Sequence, residues 1–390
     1  MRPSGYSAAG PTSSGPDHAI LFERLRVKRL MLANRIVMAP MTRMMAPDGV
    51  LGAANAEYYR KRVEAGVGLI ISEGTWIPHP AASNRTAIPR FYGEDALAGW
   101  RTVIDAVHDA GGRIFPQLWH VGMARRATDE AFHPQVPALG PSGLAFETRD
   151  AAGVRLAEPM TQRDIDAVID AFATAAASAR ELGCDGIEIH GAHGYLIDQF
   201  LWHVSNQRDD AYGGRDIAQR VRFACEVVAE CRHRVGPDFP ISFRFSQWKI
   251  HNYAARLVDS PEELERMLVP LVDAGVDVFH CSTRRYWEPG FSDSGLTLAG
   301  WTRLITDKPT IAVGSVGLST SFEIPNRAQE HAQQAAASLQ PAIAMLANGE
   351  CDLVAVGRGL IANADWAQKM RDGDLESLQP YSQQLLKSLD

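Results

Sequence analysis

The sequence has no long apolar run and no excess of positive charge, and each absence excludes a class of function. No apolar stretch among the 390 residues approaches the length of a membrane span, so we expect no membrane partner. Lys and Arg number 39 against 46 Asp and Glu, for a net charge of −7, which gives no reason to expect nucleic-acid binding. A small-molecule partner is therefore favoured.

Cysteine is also scarce. The chain has five cysteines, an odd number without CxxC spacing: Cys184, Cys225, Cys231, Cys281 and Cys351. This pattern predicts reduced, buried thiols in a cytoplasmic protein and argues against an iron–sulfur cluster or a zinc site of the usual kind.

What is present is an ordinary globular composition, with 46% hydrophobic and 22% charged residues, enough for one large domain or two average ones. Residues 1–18 are rich in Ser, Gly, Pro and Ala and have no apolar core, so we expect a disordered leader and not a signal peptide. We assign residues 19–375 to one domain and residues 376–390 to a C-terminal tail.

One phrase recurs along this domain: a helix ends at a small residue, and a short apolar strand follows. It occurs five times, at 64–72, 109–118, 181–190, 273–282 and 348–357. The glycine in each phrase is typical of a helix C-cap, and the Val/Ile/Leu run is typical of a parallel strand buried on both faces. The phrase therefore predicts a repeated αβ unit.

Three more strands are predicted at Arg35–Met41, Pro240–Phe245 and Pro309–Val313, which makes eight. Eight parallel strands with intervening helices predict an α/β fold of the (β/α)8 TIM barrel type, with an open doubly wound sheet as the alternative. The alternating stretch Phe22–Asn34 predicts an N-terminal hairpin that closes the barrel floor. A capping excursion should follow strand three, with two possible short strands around Asp150–Gly153.

The most informative stretch is D-G-I-E-I-H-G-A-H-G-Y-L-I-D-Q-F-L, Asp185 to Leu201. It reads as a buried strand, a glycine-broken turn and an apolar helix. His190, His193 and Tyr195 follow that strand at its carboxyl end, where parallel α/β proteins bind ligands. Two alternatives remain: the three residues merely end a strand, or the histidines form a metal pair, although no third ligand has suitable spacing.

The last two strands end in glycine-rich sequences, G-S-V-G at 314–317 and G-R-G at 357–359. Bare backbone N–H groups at this position of a barrel commonly cradle a phosphate, and Arg358 adds a guanidinium. Glycines needed only for tight turns are the alternative. A Rossmann fingerprint is excluded by context, because no further strand and ribose-binding acid can follow.

These motifs together resemble the Old Yellow Enzyme family of FMN-dependent oxidoreductases. The resemblance runs from Leu21 to about Ala367 and includes M-A-P-M-T, Q-L-W-H, H-G-A-H-G-Y, F-R-F, V-G-S-V-G and V-G-R-G. It implies a barrel that binds FMN, takes hydride from NADPH or NADH, and passes it from the flavin N5 to the β-carbon of an activated alkene such as an enone, a maleimide or a nitroalkene.

The resemblance also implies roles for residues. His190 and His193 would hold the substrate oxygen, and Tyr195 would protonate the α-carbon. The expected FMN-binding residues are Pro40, Met41, Thr42, Gly74, Gln117, Arg244, Gly314, Ser315, Val316, Gly357 and Arg358. Further substrate contacts are expected from Trp119, Tyr286 and Trp287, although a core tryptophan is the alternative for Trp119.

The physical chemistry agrees with these roles, because hydride addition places negative charge on the carbonyl or nitro oxygen, which two imidazoles can stabilise. The alternatives are an oxidative enzyme of the amine-dehydrogenase branch and a flavin-binding protein without turnover. A homo-oligomer is possible. The run Ser246-Gln247-Trp248-Lys249 departs from the family pattern, so Trp248 is expected to affect the pocket; Lys249 is read as a solvated lysine in preference to a Schiff-base former.

Overall fold

The computed structural model of the chain describes residues 18–145, 154–318 and 328–390. Within these ranges twelve strands are present: β1 (Leu25–Val27), β2 (Leu30–Leu32), β3 (Ile36–Met38), β4 (Leu69–Trp76), β5 (Ile114–Trp119), β6 (Leu144–Ala145), β7 (Val154–Arg155), β8 (Ile187–His190), β9 (Ile241–Ser246), β10 (Val278–Ser282), β11 (Thr310–Val313) and β12 (Leu353–Val356).

The helices of the same ranges are α1 (Ala53–Glu64), α2 (Glu94–Asp109), α3 (Gln162–Glu181), α4 (Leu196–Leu201), α5 (Ile217–Arg220), α6 (Arg222–Val235), α7 (Pro261–Ala274), α8 (Leu298–Thr306), α9 (Ala328–Ala347), α10 (Arg358–Ala362) and α11 (Trp366–Asp372). Short 3-10 turns lie at His18–Phe22, Pro47–Gly49, Gly122–Ala124 and Gln383–Lys387. None of these helices combines the length and the apolarity needed to cross a bilayer.

Eight strands close into a parallel barrel in the order β3-β4-β5-β8-β9-β10-β11-β12, with β12 returning to β3. Each strand therefore has two neighbours, which confirms the barrel and excludes the open sheet. The five glycines of the repeated phrase all have positive φ, from 70° to 120°, at the helix-to-strand junctions: Gly66, Gly111, Gly183, Gly275 and Gly349. The C-cap reading of that phrase is confirmed.

The additions to the barrel follow the expectation in part. β1 and β2 form the predicted antiparallel hairpin. After β5 the chain makes its long excursion, in which β6 pairs antiparallel with β7. The strands expected around Asp150–Gly153 lie outside the described residues, as does the leader up to residue 17.

The core is made by barrel strands and the helices around them. β3, β4, β5, β8 and β9 are buried at every position, as the continuous apolar runs predict. Helix starts are fixed by side-chain caps: Thr161 accepts the Asp164 N–H, Ser260 the Glu263 N–H and Thr297 the Gly300 N–H. This frame brings all eight strand ends to one mouth.

Candidate active site

A cavity of about 1260 Å³ opens at the carboxyl ends of the barrel strands. Its wall contains ten of the residues singled out from the sequence: Pro40, Met41, His193, Arg244, Trp287, Gly314, Ser315, Val316, Gly357 and Arg358. Residues 380–384 and Leu386 of the expected tail complete the wall, so the tail is packed against the barrel mouth. The volume exceeds what one drug-sized molecule fills, which suits a cofactor with a substrate beside it.

The turn after β8 brings the three proton-bearing residues together. The ring of His190 lies edge to face with those of His193 and Tyr195, and both centroid distances are 5.2 Å. His193 and Gly194 have φ values of +67° and +85°, a left-handed pair that turns the chain sharply between the strand and α4. The glycine-broken turn expected from the sequence is therefore present.

A hydrogen bond fixes the tautomer of His190. The backbone N–H of Ala192 donates to Nδ1 of His190 (3.3 Å), so the neutral ring carries its proton on Nε2 and has that N–H to offer. Nε2 of His193 lies 2.8 Å from Oγ of Ser282, which accepts from Arg244 Nη2 (3.3 Å). The Ser282 hydroxyl has one proton to donate and a second lone pair, so it fits either tautomer of His193; donation by Ser282 places the His193 proton on Nδ1.

Burial sets the charge of all three groups. Removal from water, reinforced by the nearby Arg244 charge, lowers the pKa of His190 to about 3 and the pKa of His193 well below its usual value. Burial raises the pKa of Tyr195 to about 12. Near neutral pH the site therefore holds two neutral imidazoles and a neutral phenol, all of them hydrogen-bond donors.

An aromatic wall supports Tyr195. The Trp119 indole lies 4.7 Å from the Tyr195 ring, edge to face, and stacks on Trp76 at 4.5 Å. Gly74 is part of this packing, because a Cβ there would lie 2.4 Å from the Trp119 indole. Trp119 is 6% exposed, and its Nε1 has no hydrogen-bond partner among the described residues. This close contact requires glycine at position 74, and most of the Trp119 indole is buried in the packing.

A buried polar network lies inside the barrel next to Arg244. The Glu188 carboxylate accepts hydrogen bonds from Gln117 Nε2 (2.8 Å), Ser242 Oγ (3.0 Å) and His280 Nδ1 (2.7 Å). Burial opposes ionisation, but the His280 hydrogen bond, the Arg244 charge and the Gln117 amide together hold the pKa of Glu188 below its usual value. Glu188 thus balances Arg244, and the Gln117 amide is oriented with Oε1 as its available acceptor.

The opposite side of the cavity is built by the loops after β11 and β12. Gly314 has a φ of +144°, and a Cβ there would lie 2.4 Å from the Thr283 carbonyl, so only glycine fits. Ser315 follows with φ +62° and donates its hydroxyl to the Arg284 carbonyl (3.0 Å). The Arg358 guanidinium lies 5.8 Å from the Tyr381 ring of the tail.

Two expectations about single residues are wrong. Tyr286 does not reach the cavity: it is 2% exposed, its hydroxyl donates to the Ser338 carbonyl, and it accepts the Ala342 N–H (3.0 Å) from α9. Lys249 is not solvated but 3% exposed, with Nζ 2.7 Å from Oδ1 of Asp198. In both cases the partner is distant in sequence.

Trp248, which the sequence predicts to affect the pocket, lies on the cavity wall and stacks on His193 at 4.4 Å; Arg284 lies over the Tyr253 ring at 3.9 Å on the same wall. Two buried acids were not found from the sequence. Glu188 and Asp198 were missed, although each is the single acidic residue in an apolar stretch, I-E-I-H and L-I-D-Q-F-L. A lone acid in a buried element was the available signal, because such a group needs a partner.

Comparison with known proteins identifies this arrangement. The NADH:flavin oxidoreductase / NADH oxidase family matches residues 20–376. The chain belongs to this family. The Old Yellow Enzyme resemblance is thereby confirmed, and with it an NAD(P)H-dependent oxidoreductase that uses FMN.

Individual relatives and a solved structure support the same family assignment. The chain is 34% identical over 366 residues to an NADH oxidase of Thermoanaerobacter brockii, covering 90% of this chain and 51% of that protein, so it spans about half of that relative. It is 33% identical over 379 residues to 12-oxophytodienoate reductase 7 of Oryza sativa subsp. japonica, covering 93% and 90%. Morphinone reductase in complex with tetrahydroNAD superposes with a TM-score of 0.76 at 28% identity, covering 94% and 93%.

The described residues fit FMN on their own chemistry. Four arginines and no carboxylate line the cavity: Arg244, Arg284, Arg285 and Arg358. Nε of Arg244 is buried without a hydrogen-bond partner among the described residues, as expected of a donor that faces a ligand. No group of three potential metal ligands occurs in residues 18–145, 154–318 or 328–390.

Proposed function

We propose that the chain is an ene-reductase that uses NAD(P)H to reduce activated alkenes such as enones, maleimides and nitroalkenes. Bound FMN would supply the redox chemistry of the reaction, the transfer of hydride from NAD(P)H to the β-carbon of the alkene. The observation that carries the proposal is the convergence of three neutral donors, His190, His193 and Tyr195, at the turn after β8, where His193 lines the cavity.

The two imidazoles would hold the carbonyl or nitro oxygen. His190 has its Nε2–H available, and His193 would offer Nδ1–H with Ser282 donating to its Nε2. Neutral donors in a buried site strengthen their hydrogen bonds as negative charge grows on the oxygen, so they favour the transition state over the bound substrate.

Tyr195 would supply the proton to the α-carbon. Its pKa of about 12 keeps the phenol protonated, and the Trp119 contact fixes its ring beside His190. Arg244, which lies opposite His190 on the neighbouring strand β9, would stabilise the negative charge of the reduced cofactor, with Gln117 as acceptor beside it. Pro40, Met41, Thr42 and Gly74 would line the cofactor, and Gly314, Ser315, Val316, Gly357 and Arg358 would hold its phosphate. Trp287 on the cavity wall remains the proposed substrate contact.

The test is an anaerobic titration of the purified, FMN-loaded protein. NADH or NADPH should bleach the flavin absorbance, and cyclohexenone, a maleimide or a nitroalkene should restore it, whereas saturated cyclohexanone should not. Restoration by oxygen but by no alkene would contradict an ene-reductase. A flavin that neither coenzyme bleaches would favour the oxidative branch or a binding protein.

A further inference from the structure

A buried ion pair joins the loop after β9 to the helix after the active-site turn. Nζ of Lys249 lies 2.7 Å from Oδ1 of Asp198, and the two side chains are 4% and 0% exposed. Burying two charges is expensive, and apolar residues of similar volume would often stabilise a protein as well or better. The pair therefore calls for a reason beyond fold stability.

The second oxygen of the carboxylate points to that reason. Oδ2 of Asp198 accepts the backbone N–H of Gly194, the residue between His193 and Tyr195. Asp198 thus connects the ammonium group of Lys249 with the peptide that links the two proton-bearing residues. Moving the carboxylate would release this peptide.

The β9–α7 loop also holds the other side of the turn. The backbone N–H of His193 donates to Oγ of Ser246 (2.9 Å), and the backbone carbonyl of His193 accepts the N–H of Ile250 (3.1 Å). The Trp248 indole stacks on the His193 ring at 4.4 Å with planes 27° apart. Residues 246–250 therefore contact the backbone and the ring of His193, and Lys249 is their anchor to α4.

The turn requires such support because its backbone is unfavourable. A non-glycine residue at positive φ is strained and persists only where the surroundings fix it. His193 adopts φ +67°. Without the Lys249–Asp198 ion pair, the turn can relax towards ordinary φ values. The imidazole of His193 and the hydroxyl of Tyr195 would then change direction.

We infer that Lys249 and Asp198 are positioning residues that hold the His193–Gly194–Tyr195 turn in the geometry that binds and protonates the substrate. Neither side chain needs to touch the substrate. The inference deepens the proposed function and rests on it for the catalytic readout. The ligand-binding readout below is independent of turnover.

The test compares Lys249→Met, Asp198→Asn and the double variant Asp198→Leu/Lys249→Met in the FMN-loaded protein. Two quantities are measured: the affinity for a phenol ligand, read by flavin absorbance, and the rate at which cyclohexenone reoxidises photochemically reduced protein. Each single variant should lose about tenfold to a hundredfold in both, as displacement of a reacting group by about 1 Å does. FMN affinity should stay within about twofold, because neither Lys249 nor Asp198 lines the cavity.

The double variant separates positioning from stability. An apolar pair should restore the melting temperature, because buried ion pairs are often replaceable by apolar residues, but should not restore phenol affinity, because no carboxylate accepts the Gly194 N–H. Arg232→Met is the matched control. It breaks an ion pair with Asp277 before β10, far from the turn, and should lower the melting temperature and leave both readouts unchanged.

Normal phenol affinity in Lys249→Met, or in the double variant, would overturn the inference. If the wild-type protein binds phenol but no alkene reoxidises it, the proposed function fails, and the phenol titration still decides whether the pair positions the turn.

Discussion

The amino and carboxyl ends of the barrel differ in which side chains they carry and in what those side chains bind. At the amino end an aspartate directly precedes or nearly precedes three of the eight barrel strands, β8, β10 and β12, and accepts a backbone N–H of the preceding barrel strand: Asp185 accepts the N–H of Ile114 (2.9 Å), Asp277 that of Ile241 (3.0 Å) and Asp352 that of Thr310 (3.0 Å). Each aspartate also pairs with a basic side chain: His108, Arg232 and Arg303, respectively. The carboxyl end has no such repeat, and each strand there ends in different side chains.

The difference separates stability from chemistry. A repeated device at the amino end ties neighbouring strands together and serves the fold, whereas the carboxyl end carries the groups that bind and react. The buried donors without a partner among the described residues include Arg244 Nε and Trp248 Nε1 at the cavity, where a ligand can satisfy them. Substitutions at the two ends should therefore affect different measurements.

The largest effect is expected at the carboxyl end, for Tyr195→Phe. Loss of the proton donor should slow reoxidation by cyclohexenone by about a hundredfold to ten-thousandfold, with reduction by NAD(P)H intact. Stopped-flow absorbance of the flavin measures both half-reactions.

The matched control is Tyr286→Phe, since that hydroxyl bonds to α9 outside the cavity. It should change reoxidation by less than about twofold. Unchanged reoxidation in Tyr195→Phe would remove Tyr195 from the mechanism.

Substitutions at the amino end of the barrel should change the stability of the protein. Asp277→Asn leaves Arg232 and Lys28 without their carboxylate in a mostly buried site and should lower the free energy of unfolding by about 3 kcal/mol. Asp238→Asn is the control, because its ion pair with Arg29 is exposed and should contribute less than about 1 kcal/mol. Urea unfolding measures both variants, and a slower reoxidation in Asp277→Asn would break the separation between the two ends.

These contrasts show what the sequence could predict. The helix-to-strand phrase is local, so the glycine C-caps and the strands followed from the pattern, and the strand count favoured a closed barrel over an open doubly wound sheet. The turn containing His190, His193 and Tyr195 was also predictable, because all three lie within six residues of one strand end. Resemblance supplied the residues of the other strands.

The rest depended on partners far apart in the chain. Lys249 reads as solvated because its sequence neighbours form a loop, and its partner Asp198 is 51 positions away. Tyr286 follows β10 beside a true cavity residue, Trp287, yet its hydroxyl bonds to the Ser338 carbonyl, 52 positions later. Neither spacing nor residue type indicates which of two adjacent aromatic residues turns inwards.

A moderate effect is expected for His190→Ala on phenol binding. A phenolate mimics the charged oxygen of the transition state, and one hydrogen bond to a charged group contributes about 1.5–3 kcal/mol, or about tenfold to a hundredfold in affinity. His108→Ala is the control from the amino end, since His108 pairs with Asp185. Absorbance titration with a para-substituted phenol measures the affinity of both variants. Equal affinities of His190→Ala and His108→Ala would show that His190 does not hold the oxygen.

The smallest effect is expected from pH. A pKa of about 3 for His190 and about 12 for Tyr195 means that neither group changes its proton near neutrality: the imidazole stays neutral above its lowered pKa, and the phenol stays protonated below its raised one. Reoxidation by an uncharged enone should therefore vary by less than about twofold between about pH 6 and about pH 9. Phenol binding over the same range should instead strengthen as the ligand ionises, which shows that the assay detects a titration. A midpoint in the enone rate near 6.5, the ordinary histidine value, would mean that water reaches the imidazoles and that burial does not set their charge.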